Sequence, residues 1–283
     1  MRLIAIGAIV LSACSISGGS GADTWSASTV PALPLPANIV VIGDFGSATE
    51  SEYEVADSIK DLAKVLPLTA FVTTGDNFYS DDIEDIWLAP YGWLEGTDTE
   101  LLASWGNHDI ESESRQRLVT EYLGAPGRAY SVSFGSVLLI VLDSNDVGNE
   151  SQRRWLVSEL EGSGGLSIVV FHHPAFSCGY HGTTEVVVES WVPLFEEHGV
   201  DLVLNGHDHD YQRFEREGVT YVVTGGGGRA LRPLRQCPTG TPEPLVSTDQ
   251  HHHYVVLTLS ADGISGRTVA ADGTEIDAFM IDG

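Results

Sequence analysis

Five apolar runs in this chain each stop at a short polar cluster of Gly, Asp, Asn and His. They are "NIVVIGDFG" (Asn38–Gly46), "TAFVTTGDNFY" (Thr69–Tyr79), "LLASWGNHD" (Leu101–Asp109), "LSIVVFHHP" (Leu166–Pro174) and "VDLVLNGHDHD" (Val200–Asp210). Short runs of this kind, bounded by turn residues, read as buried strands. "VLLIVLDSN" (Val137–Asn145) has the same form. Between the runs the period changes to that of a helix. Val55, Ala56, Ile59, Leu62, Ala63 and Leu66 mark one face of a helix around Glu50–Leu66, and further helices are expected near Gln152–Glu161 and Thr184–His198. From about Val219 the chain reads as strands and turns. Strand–helix alternation followed by an antiparallel tail predicts an α/β fold, a four-layer-type sandwich of two mixed sheets flanked by helices. In such folds ligands collect beyond the C-terminal ends of strands, which is where all five polar clusters stand.

The 283 residues suit one large α/β domain, or at most two small ones, at about 150 residues per domain. The 40 acidic residues against 14 basic ones leave a net charge of −26. Such a surface repels phosphate backbones and argues against a nucleic-acid scaffold as partner. The excess reads as a solubility or salt-tolerance trait, with a few of the acids as candidate metal ligands.

Residues 1–14 read as a processing segment. Arg2 precedes an apolar run, Leu3 to Ala13, that is shorter than the about 20 residues a membrane span needs but suits an export signal. Its end, "LSAC", resembles a bacterial lipobox, so Cys14 is expected to carry a lipid anchor on an exported protein of the cell envelope or surface. A plain secretory signal cleaved near Ala22 is the alternative. Residues 15–37 read as a Gly/Ser tether followed by a Pro-stiffened spacer, and 38–283 as the folded domain. Cys178 and Cys237 either pair in an oxidising envelope or remain two free thiols, because sequence alone does not give their separation.

Each polar cluster alone has a structural explanation. An Asp after a strand serves turns and helix caps, and a His there is more often hydrogen-bonded than a ligand. The most specific single cluster is Gly206-His207-Asp208-His209, whose two imidazoles at i and i+2 can face one site if the backbone turns. Together the five change the reading. Hard oxygen donors and imidazoles on successive strand ends suit two metal ions bridged by a carboxylate, and such a pair suits in-line displacement at phosphorus.

The ordered set GDxG (from Gly43), GDxxY (from Gly75), GNH (from Gly106), VxxH (from Val169) and GHxH (from Gly206) resembles that of the calcineurin-like metallophosphoesterases. Within them it is similar to the purple acid phosphatases of compact, single-domain type. The resemblance runs from about Val40 to Gly228 with no motif position substituted. It implies that Asp44, Asp76, Tyr79 and His209 hold a first metal, Fe³⁺, and that Asp76, Asn107, His172 and His207 hold a second, a divalent Fe, Zn or Mn, with Asp76 bridging. It further implies hydrolysis of small phosphate monoesters by metal-bound hydroxide, with His108 assisting the leaving oxygen and His181 contacting substrate. A phosphodiesterase or nucleotidase using the same dinuclear site is the alternative, and a non-catalytic surface lipoprotein a more distant one. Many relatives carry Asp-x-His in the first motif, where this chain has Gly46. Tyr79 then stands in for the missing ligand, a hard anionic phenolate that favours Fe³⁺.

Other features stay open at this level. Substrate choice is expected in the loops Ser80–Glu100 and Ser177–Glu185. Gly225–Gly228 lacks the Lys-Ser/Thr of a phosphate loop, and the resemblance places it near the metal mouth. Arg229, Arg232 and Arg235 are either solvated surface charge or contacts to phosphate or a larger anionic substrate. His251–His253 opens a strand and, lacking the spacing of a metal-ligand set, is read as structural or surface, and Trp105 is expected to pack beneath the "NHD" cluster.

Overall fold

Alternate residues of the same strands feed different cores. In β2 (Ala37–Ile42), Ile39 and Val41 point into one core while Val40 and Ile42 point into another. The structure, a computed structural model, describes residues 26–283. The signal segment, Cys14 and the Gly/Ser part of the expected tether lie outside the described residues.

The strands form two sheets. The first runs β1 (Ser28–Thr29), β5 (Tyr130–Phe134), β6 (Val137–Val141), β7 (Ser167–Val170), β8 (Leu202–Asn205), β10 (Val219–Thr224), β9 (Tyr211–Arg216) and β11 (Val246–Thr248). The second runs β14 (Glu275–Asp282), β13 (Gly263–Ala270), β12 (His253–Ser260), β2, β3 (Ala70–Thr73) and β4 (Glu100–Ala103). Both are mixed. Strands β2, β3 and β4 are parallel, as are β6, β7, β8 and β10, while β12, β13 and β14 add antiparallel pairs.

The sheets pack face to face through Val41, Val72 and Leu102 of one and Leu139, Val170 and Leu204 of the other. Outside one sheet, α1 (Glu50–Ala63) covers Val40, Ile42 and Phe71 with Val55 and Ile59. Outside the other, α4 (Glu150–Gly162), α5 (Glu185–Ser190) and α6 (Val192–Glu197) cover Val169, Phe171 and Val203. The result is the expected four-layer sandwich. Strands buried on both faces need no polar alternation, which is why they stood out as continuous apolar runs.

Helix starts follow local chemistry. Thr49 caps α1 and Asn149 caps α4, each side chain accepting from backbone N–H groups of the first turn. Ser112 does the same for α3 (Glu113–Tyr122), a helix too polar to be read from periodicity. The helix expected over Thr184–His198 breaks at Trp191, where Pro193 withholds a donor from the following turn. The loop Ser80–Glu100 contains a π-turn (Glu84–Leu88), the short α2 (Ala89–Tyr91) and a 3₁₀ turn (Gly92–Leu94). Much of it is core, with Trp87 and Tyr91 packing on Phe45 and Phe71.

One expectation needs correction. The Pro-rich part of the supposed tether lies on the first sheet. Ser28 and Thr29 pair with Tyr130 and Ser131, Leu33 bridges to Phe134, and Leu33 and Leu35 pack against the inter-sheet core. Two leucines among the prolines supply the apolar contact, and a sheet edge tolerates proline because one side needs no donor. The folded unit therefore begins by Ser28 rather than at 38.

Candidate metal centre

The loops after β2, β3, β4, β7 and β8 converge at one end of the sandwich. Asp44, Asp76 and His207 all have positive φ (54°, 51° and 71°), as do only Ala48 and Glu217 among the other described non-glycine residues. Such conformations cost on the order of 1–3 kcal/mol each and persist where the surroundings hold them. Here the Asp44 amide donates to Gly75 O at 3.1 Å, and the His207 amide to Asp44 Oδ2 at 2.8 Å. Gly46 explains how Tyr79 arrives. The Tyr79 amide donates to Gly46 O at 2.8 Å, and any Cβ on Gly46 would collide with the Asn77 carbonyl. A side chain at 46 would thus push away the loop that carries Tyr79.

Two donor sets result. In the first, Tyr79 Oη lies 3.3 Å from Asp44 Oδ1 and 3.4 Å from His209 Nε2, with His209 Nε2 3.6 Å from Asp44 Oδ1. In the second, His172 Nε2 lies 3.2 Å from Asn107 Oδ1, 3.4 Å from Asp76 Oδ1 and 3.2 Å from His207 Nδ1. Asp76 also contacts Tyr79, so it touches both sets. Ligand atoms of Asp44, Asp76 and His172 all fall within 4.8 Å of one another.

The imidazoles are turned the right way for metal. His172 Nδ1 is 3.0 Å from Thr74 O, and His209 Nδ1 is 2.9 Å from Ala230 O. A carbonyl only accepts, so each Nδ1 carries the proton and each Nε2 presents a lone pair. The His172 lone pair then faces the oxygens of Asn107 and Asp76. In the first set a single phenolic proton separates the acceptors. Acceptors crowding acceptors is what a cation relieves, so the residues present fit a pair of metal ions.

Electrostatics agree. Burial lowers His172 well below the usual imidazole range and pushes His207 to about 2 and His209 to about 4, favouring the neutral form that ligates. Burial, then the Asp76 charge, raises Asp44 well above the carboxylate range, and burial pushes Asp76 up to about 6 against the pull of His108. Burial and the two carboxylates also raise the Tyr79 phenol. A multivalent cation reverses these last shifts, stabilising the anions instead.

The two remaining site candidates sit at the mouth. His108 anchors its backbone N–H on Asp76 Oδ1 at 2.9 Å, packs against Tyr79 with ring centroids 4.5 Å apart and the planes tilted by 45°, and directs Nδ1 to Glu111 Oε1 at 2.7 Å. Arg115 holds the other Glu111 oxygen at 2.8 Å. The His181 ring lies on the His207 ring, centroids 4.1 Å apart, with Nε2 2.9 Å from Arg232 Nη1. Arginine stays protonated, so His181 Nε2 accepts and Nδ1 bears the proton.

Several supporting residues escaped the sequence reading. Glu111 carries no motif and turns up only through its contact with His108. Asp109, inside the "GNHD" cluster, accepts from the backbone of Gly106, Asn77 and Phe78 and so ties the β3 and β4 loops together. Burial, then the Asp76 charge, pushes its carboxyl up to about 8. Asp208, between the two histidines of the fifth cluster, accepts from Ser177 Oγ and from the amides of His181 and Gly182. Its polar position inside GHxH was the available signal. His173 gains a partner in Ser144, Nδ1 to Oγ at 2.8 Å, and brings its ring within 4.6 Å of His207.

Other open features now have places. Gly225 and Gly227 lie against Asp44 Oδ2 and the Gly43 carbonyl, where no side chain fits. His253 is buried beneath Gly226 and starts β12. Trp105 is buried, donates to Gly127 O at 2.9 Å and carries Arg128 over its ring. Cys178 and Cys237 form a disulfide.

Residues 37–211 match the family model for the calcineurin-like phosphoesterases. The chain is 28% identical over 229 residues to purple acid phosphatase 7 of Arabidopsis thaliana, covering 68% of this chain and 70% of that one. It is 25% identical over 284 residues to tartrate-resistant acid phosphatase type 5 of Sus scrofa, covering 82% of each. Among solved structures it is similar to one described as GAP50, the anchor in the inner membrane complex of Plasmodium, with a TM-score of 0.75, 19% identity and coverage of 87% and 88%. That likeness carries the fold alone. The family match, spanning the strands that bear every candidate ligand, shows that the chain belongs to the calcineurin-like phosphoesterases and, within the metallophosphoesterase superfamily, is purple acid phosphatase-like.

Proposed function

We propose that this protein hydrolyses small phosphate monoesters at a dinuclear centre holding Fe³⁺ and a divalent Fe, Zn or Mn. The convergence of two acceptor-rich donor sets on a shared Asp76, beside a carboxylate-backed His108, carries this reading. Asp44, Tyr79 and His209 would hold the first ion, Asn107, His172 and His207 the second, and Asp76 would join them. When bound, the metal pair supplies the hydrolytic nucleophile at ordinary pH and neutralises charge on the transferring phosphoryl group.

The chain's own residues do the rest. The Thr74 and Ala230 carbonyls hold His172 and His209 in the ligating tautomer. His108, fixed by its amide to Asp76, is partly exposed and holds Nε2 3.9 Å from Asp76 Oδ2, beside both donor sets. Glu111 Oε1, 2.7 Å from Nδ1, fixes the ring and leaves Nε2 as the atom that would donate to the departing alkoxide. His181, resting on His207, offers Nδ1–H to a phosphate oxygen.

The test is a panel of mono- and diesters assayed across pH with the metal-loaded protein, beside metal analysis. His108→Ala is expected to lower kcat for monoesters by about 10²–10⁴-fold with metal content unchanged. Loss of metal in that variant would make His108 a ligand instead. A preference for diesters in the parent protein would replace the monoesterase reading with the phosphodiesterase one.

A further inference from the structure

Three arginines of an otherwise acidic chain crowd one segment beside the site, and each is anchored there through its backbone. The Arg229 amide donates to Asp44 O at 2.9 Å and the Arg232 amide to His209 O at 3.2 Å, so both hang from candidate ligands. The Arg235 amide donates to Cys178 O at 2.7 Å, and the Cys178–Cys237 disulfide joins the same two segments. Across from them, Asp208 pins the Ser177–Gly182 loop through Ser177 Oγ and the His181 and Gly182 amides. Neither side of this mouth is a loose surface loop.

The guanidinium groups avoid carboxylates. Arg115, Arg117, Arg128, Arg213, Arg216 and Arg267 each pair with one, whereas among the described residues Arg229, Arg232 and Arg235, like Arg153 and Arg154 on α4, do not. With 40 acidic residues available, solvated surface arginines had many partners to choose from. Instead Arg229 lies 4.5 Å over the Tyr79 ring, and Arg232 and Arg235 lie 4.5 and 4.0 Å over Tyr180, which is 43% exposed. A tyrosine face fixes the guanidinium plane and leaves edge N–H groups, for Arg232 those not donated to His181, to bind an oxyanion.

Their reach indicates what they read. Arg232 touches His181, and the His181 ring packs against His207 of the donor set. Arg232 therefore stands one imidazole away from the candidate metals. That is too remote for the phosphoryl group under attack and suits a second anionic group on the same molecule. A chain of net charge −26 repels polyanions at long range, and salt screens that field beyond about 8 Å, so local cations decide whether such a substrate docks.

We propose that Arg232 and Arg235, steadied by Tyr180, form a subsite for a second phosphate of the substrate. The favoured substrates are then phosphate monoesters whose alcohol carries a further phosphate, such as sugar bisphosphates. The inference rests on the monoesterase reading above and names the substrate class for that site.

The test compares kcat/KM of the full, metal-loaded protein for fructose 1,6-bisphosphate with those for fructose 1-phosphate and fructose 6-phosphate. The bisphosphate is expected to be preferred at least tenfold at low salt. In the Arg232→Gln/Arg235→Gln variant that ratio falls at least tenfold, through KM, while Arg235→Lys alone keeps part of it. Equal losses on all three substrates, or an unchanged ratio, would overturn the subsite. Calorimetric binding of the same three ligands to His108→Ala protein separates the two ideas. Arginine-dependent preference for the bisphosphate without turnover by the parent protein retains the subsite and removes the monoesterase reading. Equal affinity for all three ligands removes the subsite.

Discussion

At the scale of single residues, Tyr79 and Gly46 act as a pair. The phenol oxygen reaches Asp44 and His209 only because the loop after β3 rests against a position with no side chain. The proposed Fe³⁺ at the first position rests on that oxygen. A phenolate ligand to Fe³⁺ gives a visible charge-transfer band, so the iron-loaded protein is expected to be coloured and Tyr79→Phe to be colourless with its fold intact. Absorption spectroscopy beside iron analysis checks this. A colourless parent protein, fully active with zinc or manganese, would sink the assignment. His108 makes the complementary point, since its motif position was legible and its partner Glu111 was not.

Among the elements, the start of α1 couples a helix cap to the site. Thr49 Oγ1 accepts from the Glu52 amide and donates to Gly228 O at 2.7 Å, while Glu52 Oε2 accepts from the Ser47 and Ala48 amides. This is a capping box whose acid is fully buried beneath the glycine strip that abuts Asp44. Burial pushes Glu52 from an ordinary 4.5 up to about 8, against those backbone hydrogen bonds. The folded chain therefore keeps a proton there that the unfolded chain releases near 4.5. The stabilisation linked to it is complete below that pH and is lost as pH rises through about 8. Glu52→Gln is expected to flatten the decline in thermal stability between pH 5 and 8, by roughly a few kcal/mol at most at about 1.4 kcal/mol per unit. Parallel melting curves of parent and variant across pH test this. An unchanged slope would place the buried proton elsewhere.

For the whole molecule, the sheets bring the strand ends together and the disulfide closes the mouth above them. Cys178 and Cys237 are 59 residues apart in sequence, so their bond removes much freedom from the unfolded chain. Cys178→Ser/Cys237→Ser is expected to lower stability by about 2–4 kcal/mol, read from the shift of the denaturant midpoint. A midpoint equal to that of the parent would show that the packing of β9, β10 and the rim loop suffices alone.

Much of this architecture was legible in the linear chain. Doubly buried strands leave uninterrupted apolar runs, amphipathic helices leave a 3.6 period, and ligand chemistry leaves Asp, Asn, His and Tyr in fixed short motifs. All are local patterns, and the seven candidate ligands were found through them. β5 and α3 were not, because Tyr130–Phe134 alternates with serine and Glu113–Tyr122 is largely polar. Nor was the docking of Leu33 and Leu35, whose prolines looked like a spacer. The contacts that orient the site were out of reach for a different reason. Arg232 meets His181 across 51 residues and Asp44 meets His207 across 163, and no periodicity relates residues so far apart. Sequence determined which groups stand at the strand ends. Tertiary structure alone decided which of them face one another, because loop paths and backbone turns at Asp44, Asp76 and His207 are set by packing between the two sheets.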